Sequence, residues 1–400
     1  MKYVVILGDG MADEPIQALD DRTPLDYART PAMDALAEVS EIGMVRTIPE
    51  GMSPGSDTAN LSVLGYDPKK YYTGRSPLEA LSIGAPMDAE DVALRCNLVT
   101  LTEEDAPYQE QKILDHSSDE ISTEDAAILF RDVCKELENE TYRFYVGTSY
   151  RHCLIWKNGK VVPLTPPHDV LTQTIGEYLP EDLVLRRMQE RSYEILKNHP
   201  MNVKRKEMGK HPANSFWFWG AGTKPALDNF QEMYGKRGVM ISAVDLLKGI
   251  AVGAGMDNIK VEGANGGLHT NYEGKAAVAV KALTEDGYDF AYVHVEAPDE
   301  MGHQGDAAKK VESIEYLDQR VIRPIKEGMD ASKINYRMLI LPDHPTPIRV
   351  RTHVSDPVPY LFYDSTNLQE HPWKYNEREA AGSGNVIPKG WDLMKYLFHE

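Results

Sequence analysis

Lys2-Tyr3-Val4-Val5-Ile6-Leu7-Gly8-Asp9-Gly10 is the stretch whose reading decides the fold. The continuous apolar run Tyr3 to Leu7 is rich in β-formers and stops abruptly at glycine and aspartate, the pattern of a strand buried on both faces of a parallel sheet. Two further runs end in the same way: Val293-His294-Val295-Glu296-Ala297-Pro298-Asp299 and Ile340-Leu341-Pro342-Asp343-His344. Between them strand and helix alternate, with strands expected at 238–242, 258–262, 289–295 and 336–341 and helices at 243–252, 273–283 and 309–325. Earlier helices are expected at 31–39, behind Thr30 and Pro31, and at 58–64, stopped by Gly65. Alternation of this kind predicts an α/β class built on a mostly parallel sheet between helices, with ligands beyond the carboxyl ends of its strands.

If the three strands are neighbours, Asp9, Asp299 and Asp343 converge on one rim. Converging carboxylates repel unless a positive charge lies between them, and a divalent cation is the usual solution. Histidines complete such a cage. Asp299 and His303 are four apart, on one face if the segment is helical, His344 follows Asp343, and His353 lies in the next loop. Carboxylate and imidazole together suit Mn²⁺, Zn²⁺ or Fe²⁺ better than Mg²⁺. A lone aspartate at a strand end is often only a cap, so the joint pattern carries the inference. With Ser56 there are seven candidate ligands, more than one ion takes, so two divalent ions are expected, as in many phosphoryl-transfer sites. Ser56 itself, in Ser53-Pro54-Gly55-Ser56-Asp57, reads by default as a turn or cap residue. Placed at a helix start beside a metal, its hydroxyl becomes a nucleophile without a histidine base. His294, inside an apolar strand, reads as structural.

Composition sets the outer bounds. Four hundred residues, 42% hydrophobic and 26% charged, describe a soluble globular chain too long for one core. The texture between about 88 and 168, with a helix at 122–137 and strands around 144–156, predicts an inserted α+β domain, leaving 1–87 and 169–400 as the metal-binding core. A formal charge of −19 disfavours nucleic acid and anionic membrane surfaces as partners. The three cysteines Cys96, Cys134 and Cys153 have no zinc or disulfide spacing. The first apolar run is too short for a signal peptide, so a cytoplasmic location is expected. Gly263-Ala264-Asn265-Gly266-Gly267 does not match a nucleotide-binding loop and reads as a turn.

The ordered set Asp9, Ser56, Asp299-x-x-x-His303, Asp343-His344 and His353, with a domain inserted after the serine, resembles the alkaline phosphatase superfamily. More narrowly, Gly8-Asp9-Gly10-Met11-Ala12-Asp13, Thr73-Gly74-Arg75-Ser76-Pro77-Leu78-Glu79-Ala80, Arg95-Cys96-Asn97-Leu98-Val99-Thr100 and the run into Asp299-Glu300 resemble the archaeal type of cofactor-independent phosphoglycerate mutases. The resemblance implies two manganese ions, one held by Asp9, Ser56, Asp343 and His344 and the other by Asp299, His303 and His353. It implies that Ser56 takes the phosphoryl group of a small phosphorylated metabolite and returns it to the neighbouring hydroxyl, and that Arg75, Arg151 and His152 grip the substrate, with Lys260 and Asn214 as further candidates. Asp115-His116-Ser117-Ser118-Asp119 departs from the Ala-Gly-Arg element common in that type. A bacterial branch of the same family, proposed as homoserine kinases, is therefore an alternative, as is a phosphatase of the superfamily. A non-catalytic metal-binding relative is a fourth reading, opposed by the intact ligand set. The oligomeric state is left open.

Overall fold

A computed structural model describes residues 1–399. The chain forms two compact units, one of residues 1–72 with 227–400 and one of residues 73–226. The strands in chain order are β1 Lys2–Gly8, β2 Glu41–Val45, β3 Val92–Leu101, β4 Ile113–Asp115, β5 Tyr142–Thr148, β6 Arg151–Trp156, β7 Ser215–Thr223, β8 Gly238–Ile241, β9 Asp257–Asn258, β10 Phe290–Val295, β11 Tyr336–Leu341, β12 Val358–Asp364 and β13 Val386–Ile387.

The first unit is organised by an eight-stranded sheet in the order β13-β2-β12-β11-β1-β10-β8-β9. β1 lies between β10 and β11 and is parallel to both, with Gly8 opposite Val295 and Leu7 opposite Leu341. These registers bring the three strand ends to one rim, as the sequence requires. Val4, Ile6, Ala291, Val293, Met338 and Ile340 are buried in the main core, packed under helices Tyr272–Thr284, Ala307–Leu317 and Arg323–Ser332.

Three details differ from expectation. β12 runs antiparallel between β11 and β2; its sequence Val-Pro-Tyr-Leu-Phe-Tyr-Asp carries no signal of direction. The strand expected at 258–262 is reduced to β9, and the chain turns further on at Gly263, whose φ is +73°. The helix expected at 309–325 passes through a π-helical turn at Asp318–Ile322. Pro324, just beyond it, lacks an amide donor for the regular ladder, and Asp318 instead accepts N–H groups from Ala32 and Met33, capping helix Pro31–Ala37 at 3.1 and 2.7 Å.

The second unit is an antiparallel sheet in which β3 pairs with β4, β6 and β7, and β5 pairs with β6. Its boundaries are wider than the expected 88–168. β7 lies well beyond residue 168, and helix Leu183–Leu196 buries Leu185, Met188 and Leu196 in the same core as Leu94, Phe130 and Phe218. On the other side, Ala80, Ala85 and Met87 pack with Ala93, Cys153 and Ile155. The proline-rich stretch near residue 166 is therefore a turn within the unit and not its exit. Among the described residues no helix is long and apolar enough to cross a membrane.

Candidate metal centre

Asp9 follows β1 directly, and the chain turns at Gly10 with φ +60°. A Cβ there would lie 2.5 Å from Asp299 Oδ1 and from Thr346 Oγ1, so only glycine lets this turn press against the neighbouring loops. Gly10 N–H donates to Asp343 Oδ1 at 3.0 Å, and His344 N–H donates to the same oxygen at 2.9 Å. Ser56 is the first residue of helix Ser56–Val63, where the backbone amides are free of helical partners. Asp299 and His303 share helix Ala297–Gln304.

The six expected carboxylate and imidazole ligands are brought together with Ser56. Asp9, Asp343 and His344 form one group able to hold an ion, and Asp299, His344 and His353 form a second. His344 Nε2 lies 3.5 Å from Asp9 Oδ1, 3.4 Å from Asp343 Oδ2 and 3.1 Å from Ser56 Oγ. His303, outside both groups, joins the second through Asp299: its Nε2 is 3.2 Å from Asp299 Oδ2, and His353 Nε2 is 3.3 Å from Asp299 Oδ1. The two Nε2 atoms are 3.0 Å apart. Thr346 Oγ1 donates to Asp299 Oδ1 and sits 3.3 Å from His344 Nδ1, so it ties the two groups together.

Whether these residues fit a cation is decided by what they lack. Asp9 Oδ1 is buried without a hydrogen-bond donor, an unsatisfied state that costs several kcal/mol for a charged group, on the order of the desolvation penalty itself. Burial, with Asp343, Asp299 and Glu296 nearby, pushes the Asp9 carboxyl far above the usual carboxylate range. Burial would raise Asp299 as well, but hydrogen bonds from His303 and His353 hold it well below that range. His303 is raised to about 9, chiefly by its hydrogen bond to Asp299. With its Nδ1–H directed to the Arg351 carbonyl at 2.9 Å, its Nε2 is the atom left to ligate. A buried carboxylate without a donor, two further carboxylates beside it and imidazoles whose ring nitrogens converge are the condition a divalent cation relieves.

Two neighbours support these carboxylates: His294, which the sequence marks as structural, and Asn60, for which the sequence suggests no role. His294 donates or accepts at 2.8 Å to Asp9 Oδ2 and contacts Ser242 Oγ at 3.0 Å. Burial lowers its pKa to about 3, so it is a neutral ring that holds Asp9 in place by this hydrogen bond. Its place one residue before Val295, opposite Leu7 in the register, was the available clue. Asn60, one helical turn after Ser56, is fully buried and donates 2.9 Å to Asp343 Oδ2.

Of the residues expected to grip a substrate, Arg75, Arg151, His152 and Asn214 are in the second unit and Lys260 is in the first. Arg75 Nε pairs with Glu79 Oε1 at 2.9 Å. Arg95, quoted above only as part of a motif, is 7% exposed, stacks 4.3 Å over the Trp219 ring, and lies 2.9 Å from Glu79 Oε2 without its Nε–H being aimed at that oxygen. Burial raises Glu79, but Arg95, Arg75 and Arg151 together bring it below its ordinary value. Three guanidinium groups around one carboxylate leave a surplus positive charge. His152 departs from expectation. It is buried, stacked 4.1 Å from Phe130, with Nδ1 accepting from Gly147 N–H, and burial lowers it to about 3. A neutral core imidazole cannot grip an anion by charge. Asn214 is likewise structural, bonding both backbone groups of Leu101 at 2.7 and 3.0 Å, and Lys260 is exposed in the turn after β9. The Asp115–Asp119 segment has no arginine; Ser118, Asp119 and Glu120 all take left-handed φ, and His116 lies 6.1 Å from His168, which stacks edgewise on Trp219 at 5.3 Å.

The sequence model of the family described as 2,3-bisphosphoglycerate-independent phosphoglycerate mutase matches residues 37–202. A 2,3-bisphosphoglycerate-independent phosphoglycerate mutase of Methanosarcina acetivorans is 47% identical over 99% of both chains, and a probable one of Geobacter sulfurreducens is 47% identical over the same shares. Among solved structures, the PH0037 protein of Pyrococcus horikoshii superposes with TM-score 0.81 at 31% identity, covering 99% of this chain and 96% of its own. The cofactor-independent phosphoglycerate mutase of Thermoplasma acidophilum superposes with TM-score 0.64 at 26% identity over 99% of both. These relatives do not favour the homoserine kinase alternative. At this identity over the full length, the chain belongs to the family of 2,3-bisphosphoglycerate-independent phosphoglycerate mutases.

Proposed function

We propose that the protein interconverts 3-phosphoglycerate and 2-phosphoglycerate with Ser56 as the transient phosphoryl carrier and two divalent ions, manganese foremost, at the sheet rim. The observation that supports this most is the convergence of Ser56 Oγ, Asp9, Asp343 and His344 on one point, with a second group of Asp299, His303 and His353 alongside. Ions bound there would neutralise phosphate oxygens and lower the pKa of the serine hydroxyl.

The residues of the chain do the rest. The first turn of helix Ser56–Val63 offers backbone N–H groups to a phosphate on Ser56. Asp9, oriented by His294, and Asp343, oriented by Gly10 and Asn60, supply the negative charge that fixes the cations. In the second unit the surplus charge of Arg75, Arg95 and Arg151 over Glu79 suits a small carboxylate or phosphate. A mutase must return the phosphoryl group to the glycerate it came from, so the proposal requires that water does not reach phosphoserine first.

The test is one preparation assayed with 3-phosphoglycerate alone, without bisphosphoglycerate, and with homoserine plus ATP. Formation of 2-phosphoglycerate supports the proposal. Release of inorganic phosphate would mark a phosphatase, and phosphohomoserine without mutase turnover would overturn the reading.

A further inference from the structure

Asn60 is a fully buried polar residue on the inner face of helix Ser56–Val63, and each of its side-chain atoms has a defined partner. Its Nδ2 donates to the Ser56 carbonyl at 2.8 Å and to Asp343 Oδ2 at 2.9 Å. Its Oδ1 accepts from the Tyr292 hydroxyl at 2.6 Å. The Ser56 carbonyl can only accept, which assigns the amide nitrogen to that side. Tyr292, also fully buried, then has to donate to Oδ1. The amide cannot turn over without setting Oδ1 against two buried acceptors, the Ser56 carbonyl and Asp343 Oδ2, each then losing its donor at a cost of roughly 1–3 kcal/mol.

We infer that Asn60 is a positioning residue that sets the distance between the carrier Ser56 and Asp343, and that Tyr292 locks its amide in the one orientation that does so. The inference rests on the two-ion reading given above. It goes beyond that reading because neither residue is a ligand or a carrier. The arrangement couples the first turn of the nucleophile's helix to a carboxylate on a different strand end. It also gives a polar purpose to Tyr292, which lies in β10, a strand apolar but for its hydroxyl and His294.

The experiment strips the protein with a chelator and titrates Mn²⁺ back by calorimetry into wild type, Tyr292→Phe and Asn60→Ala, with melting of each ion-free protein and kcat and KM for 3-phosphoglycerate. Wild type should show two binding phases. Tyr292→Phe should weaken one phase about tenfold and leave the other within about twofold, the range in which altered outer-sphere partners act. Its kcat should fall by a similar factor with KM little changed, and its ion-free melting should stay near that of wild type. Asn60→Ala should show the same selective weakening in stronger form. Variants that bind both ions and turn over as wild type does would overturn the inference while leaving the two-ion reading intact. Equal weakening of both phases, in step with lower melting, would also overturn it, because that marks general loosening. A wild-type titration without two phases would instead overturn the two-ion reading, and the inference with it.

Discussion

The two halves of the candidate metal centre use the same chemical groups and are built differently. Asp9, Asp343 and His344 are at most 3% exposed at their side chains, and backbone amides, Asn60 and His294 hold them from outside. Asp299, His303 and His353 are 9, 36 and 19% exposed and hold mainly one another, with help from Thr346 and the Arg351 carbonyl. Supported ligands keep their geometry when empty; self-supporting ones must rearrange when an ion enters. The buried half should therefore tolerate change badly and the open half should exchange ions readily.

The sharpest test of the buried half is Ser56→Ala. If Ser56 carries the phosphoryl group as proposed, turnover should fall below roughly a thousandth of wild type, because a covalent carrier cannot be replaced by binding alone. The open half should still take up its ion. Wild type incubated with substrate should carry one added phosphate on the peptide containing Ser56, by mass spectrometry. Phosphate elsewhere, or an active alanine variant, would end the covalent mechanism.

His344 belongs to both halves, whereas His303 touches only the open one. His344→Ala should weaken both Mn²⁺ phases, each by more than about tenfold, since losing a ligand costs at least what losing an outer-sphere partner does. His303→Ala should weaken one. Equal effects of the two substitutions would show that the halves act as one site.

How far this difference could be read from the sequence depends on the residue. The buried half was legible because its aspartates sit at the ends of apolar strands, and strand ends in a parallel sheet share a rim whatever the loops do. Asp299 with His303 was legible through the four-residue spacing on helix Ala297–Gln304. Asn60 and His294 were not, because a polar residue on an apolar face looks structural until its partner, hundreds of positions away, is known. His152 and Arg95 show the same limit. The charged guanidinium is the one folded into contact with Glu79 and Trp219, while the histidine is stacked in the core. Alternation along β3 and β6 cannot say which face is wet. β12 and the wide borders of the second unit were missed because pairing partners and strand direction are tertiary facts.

The halves should also differ in their response to pH. Ion uptake by the open half must displace the proton that His303 holds up to about 9. Below that value each unit of acidification should therefore cost about tenfold in the affinity of that phase, and above it the dependence should flatten. The sign follows from competition: protons and Mn²⁺ seek the same Nε2. Calorimetry at pH 7, 8 and 9 in buffers of different ionisation enthalpy would count the protons released. A phase that binds equally at all three would remove His303 from the ligand set.

The smallest expected effect carries the contrast between supported and open groups into the second unit. Arg95 is clamped between Trp219 and Glu79, while Arg151 is exposed, 5.3 Å over the Tyr150 ring. A clamped guanidinium meets an anion without losing much side-chain freedom, whereas an exposed one must be ordered first and is screened by water. Arg95→Lys should therefore raise KM for 3-phosphoglycerate by roughly tenfold or more, because a lysine cannot reproduce the planar fork and forfeits a charge-assisted bond of about 1.5–3 kcal/mol. Arg151→Lys should raise it only about two- to fivefold, within the range of exposed ion pairs. Raising the salt from low to about 0.5 M should narrow the gap between wild type and the Arg151 variant more than that between wild type and the Arg95 variant, since screening acts on the exposed charge. If Arg151→Lys proves the costlier change, the exposed arginine is ordered by the substrate and is the principal grip, and the rule that support predicts sensitivity fails in this unit.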